Sequence, residues 1–244
     1  MKAMILAAGL GTRLRPLTNF RPKALVEVNQ MPLLEIAIRR LKYFGFEEII
    51  INVHHFAEQI IQFLEKNNHF DIRIEISDER NQLLETGGGL KKAAHFFDDG
   101  KPFLLSNTDI LSDIDLRAFY QQHIDSKAMA TLAVRRRDTS RYLIFNERQN
   151  LHGWVNTKTG KMIASRHNSK QLQLMAFSGF HVINPEIFKL MPSDTTFSII
   201  DTYLDASAQH DIIAYPHDGD FWLDVGKTNA LKEAEGLAKK LLLV

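Results

Sequence analysis

Residues 1–25 read MKAMILAAGLGTRLRPLTNFRPKAL. The apolar run Ala3 to Ala7 fits a buried strand, and a loop punctuated by Gly9 and Gly11 and carrying Arg13 follows it directly. A glycine loop at the end of a first strand is the opening of an α/β fold, and the residues beyond it keep that rhythm. Residues 32–44 (PLLEIAIRRLKYF) place apolar side chains at helical spacing, with Gly45 positioned to end the helix. Residues 48–54 (EIIINVH) read as a strand, 57–66 as a helix and 72–77 as a strand. A helix opening on glycines is predicted over 88–97, and a buried strand over 102–106. The alternation predicts a doubly wound, mostly parallel, Rossmann-like mixed sheet whose ligands bind beyond the carboxyl ends of its strands.

The second half changes texture. Strands are predicted over 128–135, 141–145, 152–156, 177–183 and 212–215, joined by polar turns. Helices are predicted from Pro185, over 198–208 and over 228–242. With no repeat and no Gly/Ser/Pro linker, one continuous domain bearing a small sheet-rich lobe fits best.

Bulk properties narrow the function classes. The 244 residues carry 30 Lys and Arg against 29 Asp and Glu, a net charge of +1, so neither nucleic acid nor a membrane surface is indicated as a partner. The absence of cysteine excludes disulfides, thiolate chemistry and Cys-based zinc sites. The apolar start is broken by Gly9 and Gly11 and ends in arginines, which suits a strand and loop better than a secretory leader. No apolar run approaches the roughly 20 residues that span a bilayer, so a cytoplasmic protein is expected.

The loop is neither of the two commonest phosphate motifs. A Walker loop needs a Lys-Ser/Thr pair that GLGTRLRP lacks, and Leu14 stands where a dinucleotide fingerprint needs its third glycine. Physically, the glycines let backbone N–H groups approach phosphate, Arg13 offers a planar fork and Lys23 a movable point charge. A plain surface turn with two solvated cations is the bland reading. Asp109 and Asp224, each beside a short apolar segment, could be turn or cap residues when taken singly. His54-His55 is a tempting metal pair, but neighbours on a strand point to opposite faces.

The stretch AAGLGTRLRPLTNFRPKAL resembles the signature of nucleotidyltransferases that join a nucleoside monophosphate to a sugar 1-phosphate. The resemblance continues in family order through LETGGG (84–89), SNTD (106–109), FSG (177–179) and FWLDVG (221–226). LETGGG is similar to the branch containing N-acetylmuramate 1-phosphate uridylyltransferases, with mannose 1-phosphate guanylyltransferase-like proteins close by. SNTD departs from the more usual Asn-Gly-Asp by placing Thr108 beside the aspartate.

The resemblance implies a single domain over 1–244, with 1–127 mainly binding nucleotide and 128–244 mainly binding sugar phosphate. It implies Arg13, Lys23 and Asp109 as catalytic residues and Asp109 with Asp224 as ligands of Mg²⁺. Nucleotide binding would involve Ala7, Ala8, Gly9, Gly11, Thr12, Arg13, Lys23, Glu85, Thr86, Gly87, Gly88 and Asn107. The glycine run would contribute N–H groups left open at a helix start, and Glu79 is a candidate for reading the base edge. Ser178 and Gly179 would line the sugar-phosphate site, with Ser178 donating a hydrogen bond. The expected reaction is in-line attack of a sugar 1-phosphate, most closely N-acetylmuramate 1-phosphate, on the α-phosphorus of UTP with release of pyrophosphate. Guanylyl transfer to mannose or heptose 1-phosphate is the alternative, and a catalytically silent nucleotide-sugar sensor is the non-enzymatic one. No hexapeptide repeats of a left-handed β-helix are present, so a monomer or small homo-oligomer is expected.

Overall fold

A computed structural model describes residues 1–165, 171–226 and 230–234. In chain order the elements are β1 (Lys2–Leu6), β2 (Glu27–Val28), β3 (Met31–Pro32), α1 (Leu33–Tyr43), β4 (Glu48–Val53), α2 (Ala57–Lys66) and β5 (Arg73–Asp78). Next come α3 (Glu85–Lys92), β6 (Phe103–Asn107), β7 (Ile110–Ser112), α4 (Leu116–Ser126), β8 (Ala130–Arg135) and β9 (Arg141–Asn146). The remainder are β10 (Leu151–Asn156), β11 (Met162–Ala164), β12 (Leu172–Ile183), α5 (Ile199–Ala206), β13 (Ile212–Pro216) and β14 (Trp222–Asp224). They make an α/β fold with a mixed, partly parallel sheet, divided into two compact units.

The first unit takes Met1–Leu84, Leu105–Leu116 and the described residues from Asp220 onward. Here β1 pairs parallel with β4, and β4 with β5. Parallel neighbours require a crossover, which α1 and α2 supply. Ile49, Ile50, Ile51 and Val53 of β4 are all fully buried, as a strand covered on both faces demands. Helix α1 buries Leu33, Leu34, Ile36, Ile38 and Leu41, and ends at Gly45, whose φ of 87° suits glycine. Strands β7 and β14 form a separate antiparallel ribbon with Asp224 opposite Ile110 and Trp222 opposite Ser112.

The second unit comprises Glu85–Leu104 and Arg117–Gly219. Its long strand β12 pairs antiparallel with β8 and β9, β10 joins β9 to β11, and β13 runs parallel to β8. The register of β12 on β8 slips between Phe177 and His181, a bulge where Gly179 takes a φ of 87°. Phe97 and Phe103 stack at 3.8 Å, and Phe188 lies 5.7 Å from Phe103 at 9° between planes. His181 is fully enclosed and bonded to the Tyr203 hydroxyl at 2.9 Å, and burial pushes its imidazole down to about 3.

Several boundaries differ from those the pattern predicts. The helix expected over 88–97 begins at Glu85 and breaks at Lys92, with a separate turn at Ala94–Phe97. Helix α4 carries its buried row on Leu116, Phe119 and His123, so a polar residue interrupts the apolar period that would have revealed it. Of the helix expected over 228–242, residues 230–234 are helical and the rest lies outside the described residues. Among the described residues no helix is long and apolar enough to cross a membrane.

Candidate active site

Within the first unit the glycine loop is shaped by its own short contacts. Gly11 has a φ of 64°, which favours glycine, and a Cβ there would stand 3.0 Å from Thr18 Cγ2 and 3.1 Å from Lys23 Cβ. Its carbonyl accepts from the Thr18 hydroxyl at 2.8 Å and from Leu14 N–H at 2.9 Å. Leu14 is completely buried in an apolar cluster with Val26, Leu33, Leu111 and Val225. Thr12 and Arg13, between Gly11 and the buried Leu14, are left at the surface. Ala7 and Ala8 are buried, and the Ala7 N–H donates to Asn52 Oδ1 at 2.7 Å, so it faces inward. Gly9 is different, because among the described residues a Cβ there would have nothing within 4 Å.

Lys23 begins the short turn Lys23–Leu25 after Pro22, and its ammonium is ion-paired with Asp109 Oδ2. Both side chains are 15% exposed, so the pair is shielded yet reachable. Asp109 and half-buried Asn107 flank Thr108 at the end of β6. Thr108 is buried, and its N–H and hydroxyl both donate to the carbonyl of Leu6, at 3.3 Å and 2.5 Å. The β-branched residue therefore ties the ends of β6 and β1 together beside the carboxylate.

The ribbon of β7 and β14 brings the second aspartate alongside. Val225 N–H donates to the Asp109 carbonyl at 2.9 Å, and Gly226 N–H to Asp224 Oδ1 at 2.7 Å. A Cβ on Gly226 would lie 2.6 Å from Asp224 Oδ1, 2.8 Å from a terminal nitrogen of Arg13 and 3.2 Å from Lys23 Nζ. Arg13, Lys23, Asp109 and Asp224 thus converge as two cations and two carboxylates. Asp109 is held through Oδ2 and Asp224 through Oδ1, which among the described residues leaves the opposite oxygen of each for a further cation. Among the described residues no group of three or more His, Cys, Asp or Glu could hold a metal ion. A paired carboxylate suits Mg²⁺, which completes its shell with water and substrate phosphate.

One sequence expectation needs correction here and two in the second unit. Glu79 is 1% exposed and its carboxylate is bonded to Asn52 Nδ2 and Leu84 N–H, so it does not present itself to a base edge. The N–H groups of Gly87 and Gly88, expected to be open at a helix start, both donate to the Phe197 carbonyl, at 2.9 and 3.3 Å. Thr86 Oγ1 accepts from Ile199 N–H at 3.0 Å, and a Cβ on Gly87 would sit 2.4 Å from the Phe197 ring. The glycine run thus allows close packing within the second unit. Glu85 ahead of it is exposed, with a φ of 58°. Ser178 is fully buried and its hydroxyl bonds to His217 Nε2 at 2.7 Å, so it is not placed as an open donor. Asn52, Phe197, His217 and Gly226 are additions from the structure. Asn52 alone left a signal, as a polar residue within the apolar run of β4.

A model of the nucleotidyl transferase family matches residues 2–240. The chain belongs to the nucleotidyl transferase family. It is 34% identical over 244 residues to the N-acetylmuramate alpha-1-phosphate uridylyltransferase of Neisseria meningitidis serogroup B, with 98% of each chain covered. It is 28% identical to a mannose-1-phosphate guanyltransferase of Yarrowia lipolytica, where 93% of this chain matches 61% of the longer relative. A crystal structure of a putative glucose-1-phosphate thymidylyltransferase from Bacillus anthracis superposes with a TM-score of 0.78 at 20% identity, covering 98% of this chain and 95% of the other, which shows the shared fold. This nucleotidyltransferase is of the sugar 1-phosphate class, with a nucleoside triphosphate and a sugar 1-phosphate as its substrates.

Proposed function

We propose that this nucleotidyltransferase transfers a uridylyl group from UTP to N-acetylmuramate 1-phosphate and releases pyrophosphate. The convergence of Arg13, Lys23, Asp109 and Asp224 around Gly226 carries the chemical reading. The full-length similarity to the Neisseria meningitidis enzyme supports the choice of base and sugar.

The acceptor phosphate is already an anion near neutral pH, so attack on the α-phosphorus needs positioning and charge neutralisation more than a strong base. Arg13 forks onto the triphosphate and stabilises the departing pyrophosphate, while Lys23 neutralises phosphate oxygens nearer the reacting centre. Ala8, Gly9, Gly11 and Thr12 line the nucleotide's approach, and the open space at Gly9 is where bare backbone can meet the ligand. Asn107 stands beside Asp109 for the same nucleotide. Gly179, at the bulge of β12, is the candidate for close approach of the sugar phosphate.

Asp109 and Asp224 would hold Mg²⁺ through their outward oxygens, together with substrate phosphate. Bound there, the ion would supply further charge neutralisation on the transferred phosphoryl group. Similarity to the Yarrowia lipolytica protein favours guanylyl transfer as the second reading. Pyrophosphate release with Mg²⁺, across UTP, GTP, CTP, ATP and dTTP against a panel of sugar 1-phosphates, tests both. Release with UTP and N-acetylmuramate 1-phosphate supports the first reading. A signal with GTP and mannose or heptose 1-phosphate would replace it.

A further inference from the structure

One polar chain crosses the apolar interior of the first unit at the carboxyl ends of β1 and β4. Asn52 is 2% exposed, accepts the Ala7 N–H on Oδ1 at 2.7 Å, and gives Nδ2 to Glu79 Oε1 at 2.7 Å. Glu79 Oε2 accepts from Leu84 N–H at 3.2 Å. The Glu79 backbone is fixed as well: its N–H donates to the Val53 carbonyl at 2.7 Å, and its own carbonyl accepts from His54 Nδ1 at 2.6 Å and Gln82 N–H at 3.0 Å. Ala7 opens AAGLG and Leu84 opens LETGGG, so two side chains join the starts of both nucleotide motifs. A carboxylate buried this deeply is costly unless its oxygens are bonded, and an apolar pair would pack the same volume without that cost.

We propose that Asn52 and Glu79 are a positioning pair for the nucleotide site. They set the register between the start of the glycine loop and residues 80–84, and thereby nucleotide affinity and the preference among bases. The inference rests on the nucleotidyl-transfer reading above. Neither residue is assigned contact with the reacting atoms.

The hydrogen-bond polarity dictates the residue types. A backbone N–H only donates, so Ala7 forces Asn52 to turn Oδ1 towards β1 and Nδ2 towards Glu79. Leu84 N–H is also a donor, so position 79 must offer an acceptor on both arms, which a carboxylate does and an amide does not. Glu79→Gln keeps the shape but leaves a donor facing either Asn52 Nδ2 or Leu84 N–H. The double exchange Asn52→Asp with Glu79→Gln restores each of these bonds at unchanged net charge. Asp at 52 then accepts from Ala7 and from the new amide, whose oxygen accepts from Leu84.

The test compares wild type, Glu79→Gln and the double variant by steady-state kinetics with UTP, GTP and CTP, and by hydrogen exchange of the 80–90 segment without nucleotide. Glu79→Gln is expected to speed exchange at 80–84, to raise the KM for nucleotide by about 10-fold, to narrow the base preference and to leave kcat within a few-fold. The double variant is expected to return both readouts to near wild type. Wild-type values in Glu79→Gln, or a double variant no better than the single one, would overturn the proposal. Restored exchange with a KM that never moved would also overturn it, reducing the pair to a structural role. If Glu79→Gln alone does not fold, the double variant decides, since wild-type exchange and KM are expected of it and their loss refutes the pairing. Absence of turnover with every nucleotide, in wild type too, would refute nucleotidyl transfer, while exchange and its rescue would still report on the pair.

Discussion

Val225 donates its backbone N–H to the carbonyl oxygen of Asp109 at 2.9 Å, which fixes the two candidate metal carboxylates as neighbours on one ribbon. Replacing either Asp109 or Asp224 by Asn leaves that backbone bond in place and removes only charge. Turnover should fall on the order of 100-fold or more, the scale on which one preorganised charge-stabilising group acts. Circular dichroism should stay that of the wild type in both variants. Asp109→Asn also leaves the Lys23 ammonium without its carboxylate, so it should lose about 1–3 kcal/mol of stability where Asp224→Asn loses less. Equal turnover in wild type and Asp109→Asn would remove this residue from the site.

Gly226 and Gly9 should separate function from folding. Gly226→Ala aims its methyl at Asp224, Arg13 and Lys23, so activity should collapse although the backbone there needs no left-handed φ. Gly9→Ala meets nothing among the described residues within 4 Å, so stability should change by less than about 0.5 kcal/mol. Its KM for nucleotide should nevertheless rise, because the methyl enters the space assigned to the ligand. Thermal melts and steady-state kinetics on both variants check this, and an unchanged KM in Gly9→Ala would empty that space of nucleotide.

Arg13, Lys23, Asp109 and Asp224 stand out in the sequence as a set only through the family resemblance, because singly they read as well as turn, cap or solvated residues. The alternating pattern of the first half was legible from the residues themselves, since the apolar run of β4 and the helical spacing of α1 leave few alternatives. What stayed hidden are polar pairings between distant residues. Thr86 meets Ile199, 113 residues along the chain, and Ser178 meets His217. No local pattern announces either partner, so both hydroxyls read as ligand groups. The sequence marks Thr108 only as a departure from Asn-Gly-Asp, and nothing local announces that its hydroxyl bonds the Leu6 carbonyl.

Gly87 is glycine for packing within the second unit. An alanine methyl would lie 2.4 Å from the Phe197 ring and 2.9 Å from its carbonyl oxygen, and the same carbonyl accepts the Gly87 N–H. The ring can turn but the carbonyl is backbone, so α3 must shift. Gly87→Ala should therefore cost about 1–3 kcal/mol, the usual range for overpacking. Urea denaturation checks it. A variant with the midpoint of the wild type would show that Phe197 accommodates the methyl, and the close-packing account of this glycine would fail.

Acid should destabilise the protein through two buried imidazoles. Burial pushes His123 down to about 4 and His181 to about 3, against an ordinary value of 6.5. Both are therefore neutral in the fold, His123 bonded to the Thr131 hydroxyl at 2.9 Å. Below pH 6.5 the unfolded chain takes up protons that the folded chain refuses, so this stability is complete above 6.5. It is lost as pH falls, down to about 4 for His123 and about 3 for His181. Within that window each histidine contributes a slope of roughly 1.4 kcal/mol per pH unit. Urea denaturation of wild type and His123→Gln between pH 7.5 and 4.5 measures the slopes. The variant should be less stable at neutral pH yet shallower by about that amount on the acid side. Parallel slopes would mean that His123 titrates normally in the fold.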